Sequence, residues 1–142
     1  MITRVSILII VNLLALHAVP AQEINWKHVR NWKLYDIHNQ AGMRYPLDTL
    51  QHFKSLYLNK DTMQTFCDNI IAWPKEEYSM WMGLYVATCE TEDQKVRKIV
   101  ISTYGGFFYD PEARRYYQVP AEMTKQWLEF LNDSSKRIMV TN

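Results

Sequence analysis

Residues 81–119 read WMGLYVATCETEDQKVRKIVISTYGGFFYDPEARRYYQV, and this stretch decides the fold class. Met82, Leu84 and Val86 alternate with Trp81, Tyr85 and Ala87 through to Cys89, the two-residue period of a β-strand. The polar run from Glu90 to Lys95 makes a turn. Strand chemistry resumes at Val96, where Ile99, Val100 and Ile101 are consecutive and β-branched, as in a strand covered on both faces. Gly105 and Gly106 permit a bulge or a sharp bend. Phe107-Phe-Tyr109 and Tyr116-Tyr-Gln-Val119 then flank Asp110-Pro-Glu-Ala-Arg114, whose Asp and Pro suit the first two places of a type I turn. Antiparallel strands ending in a hairpin are therefore expected.

Upstream, the segment Trp32 to Ile37 alternates as one short half-buried strand. Asp48-Thr-Leu-Gln51 and Asp61-Thr-Met-Gln64 each have the form of a capping box, in which the aspartate accepts from a first-turn N–H and the glutamine reaches back to the cap. The first predicts a helix from Asp48 to Leu58, with Leu50, Phe53, Leu56 and Tyr57 inward. The second predicts a helix with Met63, Phe66, Cys67, Ile70 and Ile71 on one face, ending before Pro74. Downstream, Pro120 opens a final helix with Met123, Trp127, Phe130 and Leu131 on one face, closed by Asp133-Ser-Ser135. Runs of helices and runs of strands, without strict alternation, predict an α+β domain. Its antiparallel sheet would have about four strands, with two consecutive helices before the main strands and one C-terminal helix.

At the N-terminus, Arg4 precedes an apolar run from Val5 to Leu16 that is too short for the about 20 residues of a bilayer-crossing helix. Val19 and Ala21 are the small residues a signal peptidase inspects. Residues 1–21 thus read as a cleaved signal peptide, and residues 22–142 as a single domain that is secreted or periplasmic. No cysteine stands at Gln22 to carry a lipid, so no membrane anchor is expected in the mature form. The 142 residues carry 16 basic and 15 acidic side chains, and removing Arg4 leaves 15 of each. A neutral balance offers no general field toward nucleic acid or an anionic membrane, and no nucleic-acid partner is expected.

Two cysteines in an exported chain, Cys67 and Cys89, raise the expectation of a disulfide. It would close a loop of about 20 residues and contribute about 3 kcal/mol. Both positions also suit small buried thiols. Neither cysteine has a histidine at ligand spacing, so no zinc site is expected.

Motifs for chemistry are missing. There is no His-Glu-x-x-His, no Gly-x-Ser-x-Gly, no phosphate-binding glycine loop and no calcium loop. His28, His38 and His52 are dispersed over different elements. Glu76-Glu77 and Glu90-Thr-Glu-Asp93 read as solvated turns, where a raised carboxyl pKa lacks the burial it needs. A Cys67 nucleophile served by His52 conflicts with the position of Cys67 on an apolar stripe. No catalytic residue, metal or cofactor is assigned.

Two places have unusual composition. In Trp26-Lys-His-Val-Arg-Asn-Trp-Lys33 two tryptophans are interleaved with basic groups; they can dock into the core or face an anionic glycan or membrane surface. Around the hairpin, Tyr104, Phe107, Tyr109, Arg114, Arg115 and Tyr116 concentrate the residue types that dominate binding hot spots. The expectation is an exported soluble binding module, an inhibitor or immunity-type protein whose partner is another protein captured by these six residues. A carbohydrate or cell-wall binding domain using Trp26 and Trp32 is the alternative, and an enzyme assembled from His52, Asp68 and Tyr85 is a third.

Overall fold

The structure, a computed structural model, describes residues 22–37, 44–73 and 84–140. The expected signal peptide, His38, Glu76-Glu77 and Met82 lie outside the described residues.

Among the described residues the chain is a mixed α and β fold built on one seven-stranded antiparallel sheet. Its strands are β1 (Arg30–Tyr35), β2 (Ser55–Tyr57), β3 (Ile71–Ala72), β4 (Leu84–Glu90), β5 (Val96–Ser102), β6 (Phe107–Asp110) and β7 (Arg115–Gln118). They lie in the order β2-β1-β4-β5-β6-β7-β3. The helices are α1 (Leu47–Leu50), α2 (Lys60–Cys67) and α3 (Thr124–Val140), with short 3-10 turns at Trp26–His28 and Ala121–Met123.

Alternation along the strands sorts the side chains between two faces. Leu34, Ala87, Cys89, Ile99, Ile101 and Phe108 point to the face that α2 and α3 cover, where Phe66, Trp127, Leu131 and Ile138 close the main core. Burying each such large side chain contributes about 1.5–3 kcal/mol. Trp26 and Trp32 stack here with ring centroids 6.0 Å apart, and Trp26 meets Tyr117 edge-on at 4.9 Å. On the opposite face, Tyr35 and Val86 receive Leu50 from α1 together with Ile37, Tyr45 and Phe53.

The sheet has seven strands where about four were expected, and two of the additions come from helices that end early. The helix expected over Asp48 to Leu58 stops after one turn, at Leu50. Residues 55–57 instead form β2, paired antiparallel to β1 with Leu34 opposite Leu56. Pro46 stands at the N-cap and no side chain caps α1, so the Asp48 box does not form. Once Leu50 is buried against Tyr35 and Val86, pairing Ser55–Tyr57 with the edge of β1 satisfies their backbone groups and also packs Leu56 against the main core.

The second box is also misplaced. Asn59, not Asp61, caps α2 by accepting from the Thr62 N–H at 2.9 Å. Gln64 donates to the Lys27 carbonyl at 3.1 Å and to Asp68 Oδ1 at 2.7 Å. Ile71, expected on this helix, lies in β3 opposite Gln118 of β7. The final helix runs on through Asp133-Ser-Ser135 to Val140. Ser134 and Ser135 are buried, and Ser134 Oγ donates to the Phe130 carbonyl at 2.8 Å. With Trp127, Leu131 and Ile138 they continue one helical stripe, with small residues between the large ones.

Candidate functional site

The β6–β7 hairpin is the element that carries the site residues expected from sequence. Pairing of Phe108 with Tyr117 and of Tyr109 with Tyr116 fixes its register. Phe108 and Tyr117 face the main core, so Phe107, Tyr109 and Tyr116 face the other side. There Tyr109 and Tyr116 stack at 4.5 Å between centroids. Trp73, just beyond β3, meets Phe107 edge-on at 5.1 Å. All three of these expected contact residues are half-buried.

The other three are spread around them. Tyr104, on the bend before β6, is 72% exposed. Arg114 is exposed at the far end, in the 111–114 turn. The two are therefore separated by at least the length of β6, about 10 Å. Arg115 turns the other way, and its Nε pairs with Glu23 Oε1 at 3.3 Å on a side chain that is only 17% exposed. Arg115 thus ties down the N-terminal segment instead of standing at the tip.

The turn is held from within. Asp110 is fully buried, and its Oδ1 accepts from the Glu112 and Ala113 N–H groups at 3.1 and 3.4 Å. Its Oδ2 accepts from Arg97 Nη2 of β5 at 2.5 Å. Arg97 also pairs with Glu112 at 3.1 Å and donates to the Gln22 carbonyl at 3.0 Å. A buried pair hydrogen-bonded in this way defines geometry more than it adds net stability. Arg114 closes the turn in the left-handed region, with φ 53°. That conformation costs an ordinary residue about 1–2 kcal/mol and costs glycine almost nothing.

Trp26 and Trp32 are both buried in the main core, and Trp32 also borders a cleft at the start of β1. Cys67 and Cys89 are free, buried thiols, without the bridge expected from sequence. Burial pushes the Cys67 thiol up to about 12. Burial also raises Cys89, with the neighbouring Cys67 adding to the effect. Such thiols are protonated at neutral pH and poor nucleophiles. His52 follows α1 on one face of the sheet, whereas Asp68 caps the end of α2 on the other, and Tyr85 packs against the main core. Among the described residues no three His, Cys, Asp or Glu side chains gather as a metal site. Nor is any helix there long and apolar enough to cross a membrane.

The partners of Arg97 and the strained backbone at Arg114 escaped the sequence reading. An Asp at the start of a turn signals local capping, but nothing local says that an arginine of the preceding strand reaches the same carboxylate. No family model, curated protein or solved structure matches this chain.

Proposed function

We propose that this chain is an exported binding module, an inhibitor or immunity-type protein, that captures another protein through the β6–β7 hairpin. The observation that carries the reading is Arg114, exposed and held at φ 53° on a turn anchored by a buried Arg97–Asp110 pair. Backbone strain at an exposed arginine, in a place glycine would occupy at lower cost, is a mark of function over folding. The anchored turn and the Tyr109–Tyr116 stack supply preorganisation, which lowers the entropy cost of association. Tyr104 adds a large aromatic side chain at the other end of β6.

The test is photo-cross-linking in the producing cell, with Tyr104→p-benzoylphenylalanine and, on the exposed face of α3, Glu129→p-benzoylphenylalanine as control. A discrete protein adduct from position 104 and none from position 129 is expected. Adducts equal at both positions, or none at position 104, would remove the hairpin as the contact surface.

A further inference from the structure

At the other end of the sheet, a cleft of about 330 Å³ opens between the start of β1 and the first turn of α2. Val29, Trp32, Leu58 and Met63 form its apolar wall, and each is buried. Arg30, Asn31, Tyr57 and Lys60 stand at its rim. A volume at the lower end of the about 300–1,000 Å³ typical of ligand pockets suits a small molecule.

A bulge in β1 shapes the rim. The ladder between β1 and β4 shifts register between Arg30 and Lys33, and Asn31 there takes φ 54°. Such irregularities re-aim side chains at strand ends and recur beside binding sites. Glu90 of β4 then clamps the rim, accepting from Asn31 Nδ2 at 2.8 Å and from Arg30 Nη2 at 2.9 Å. These two hydrogen bonds hold its carboxyl below the usual carboxylate range.

Charge indicates the class of occupant. Among the described residues, the cations Arg30 and Lys60 and no carboxylate line the cleft. Glu90 neutralises Arg30, but Lys60 remains at the mouth, and Lys33 sits 4.8 Å over the Tyr57 ring beside it. Asp61, next to Lys60 in sequence, lines a different groove with Phe66 and Phe130. The tryptophans of the Trp26 to Lys33 segment go inward, whereas its exposed Arg30 lines this opening.

We propose that this cleft binds a small amphipathic carboxylic acid, a short acyl chain or a single ring lying on the apolar wall with its carboxylate at Lys60. The site shares no residue with the hairpin, so either can fail without the other.

The experiment titrates the exported protein with octanoate, and separately with the uncharged 1-octanol, followed by two-dimensional amide NMR. Saturable shifts at Asn31, the Trp32 indole and Gln64 are expected with octanoate below about 10 mM. Lys60→Glu should weaken octanoate by about fivefold or more and leave octanol unchanged. Glutamate in the first helical turn is favourable, so this variant keeps α2. Octanoate shifts confined to other surfaces, no saturation, octanol binding as tightly as octanoate, or a Lys60→Glu variant that binds octanoate normally would each overturn the proposal.

Discussion

Arg97 of β5 donates to Asp110 at the end of β6 at 2.5 Å, with the arginine side chain 8% exposed and the carboxylate fully buried. The same guanidinium meets Glu112, a carboxylate that is about half exposed, at 3.1 Å. One cation thus has a buried and a wet partner, which separates the two kinds of ion pair within a single site. Asp110→Ala leaves the buried Arg97 with only the half-exposed Glu112 and the Gln22 carbonyl, strips the turn of its acceptor, and should cost about 3 kcal/mol. Glu112→Ala should cost less than about 1 kcal/mol. Urea unfolding of both variants, with unchanged slope, measures the difference; equal losses would mean that the buried pair does not anchor the hairpin.

The thiols give the fold an alkaline limit. Cys67 is raised from its ordinary 9.0 to about 12, and Cys89 is raised as well. In the folded chain both stay protonated, whereas unfolding lets them ionise once the pH passes 9.0. Their contribution is therefore whole below that pH. It is lost as the pH rises toward the folded values, at about 1.4 kcal/mol per pH unit for each thiol. Burial raises Tyr117 too, which acts in the same direction. Replacing both cysteines by alanine should flatten the decline measured by unfolding at successive pH values. In the wild type, a thiol reagent should label neither cysteine until the protein is unfolded, and then two; labelling of none after unfolding would instead show a disulfide.

The bend before β6 distinguishes its two glycines. A Cβ on Gly106 would stand 2.2 Å from Val119 Cγ2, and that valine is itself buried. A Cβ on Gly105 meets the outer edge of the half-buried Phe107 ring at 2.5 Å. Gly106→Ala should destabilise by about 1–3 kcal/mol, with a smaller loss for Gly105→Ala. Thermal unfolding checks the order, and a reversed order would show that the close contact with Val119 is not what requires glycine.

The Tyr109–Tyr116 stack should appear as a coupling of about 0.5–1.5 kcal/mol in a double-mutant cycle to alanine. Simple additivity would mean that the two rings pack independently.

Where the two-residue period was long, the sequence was legible. Residues 84–90 and 96–102 form β4 and β5 in continuous register, and the hairpin pairs across the expected turn. Legibility ended where a tertiary partner outweighed a local signal. Asp48-Thr-Leu-Gln51 looks like a cap, but β1 recruits Ser55–Tyr57 as a strand. Asp61-Thr-Met-Gln64 looks like another, but Asn59 stands nearer the chain reversal and Gln64 finds the Lys27 carbonyl. Of the six expected contact residues the structure puts Phe107, Tyr109 and Tyr116 on one half-buried face, a division that the sequence pattern did not name. The pattern also said nothing of Trp73 meeting Phe107, nor of Glu23 drawing Arg115 away from the tip.

The most direct measurement is paired stability and partner capture for Arg114→Gly. Glycine relieves the left-handed strain at φ 53°, so the variant should be as stable as the wild type or more stable, by up to about 1 kcal/mol. Partner capture should nonetheless fall about tenfold or more, because the arginine is a contact group. A stable Arg114→Gly protein that captures its partner as well as the wild type would contradict binding through the hairpin.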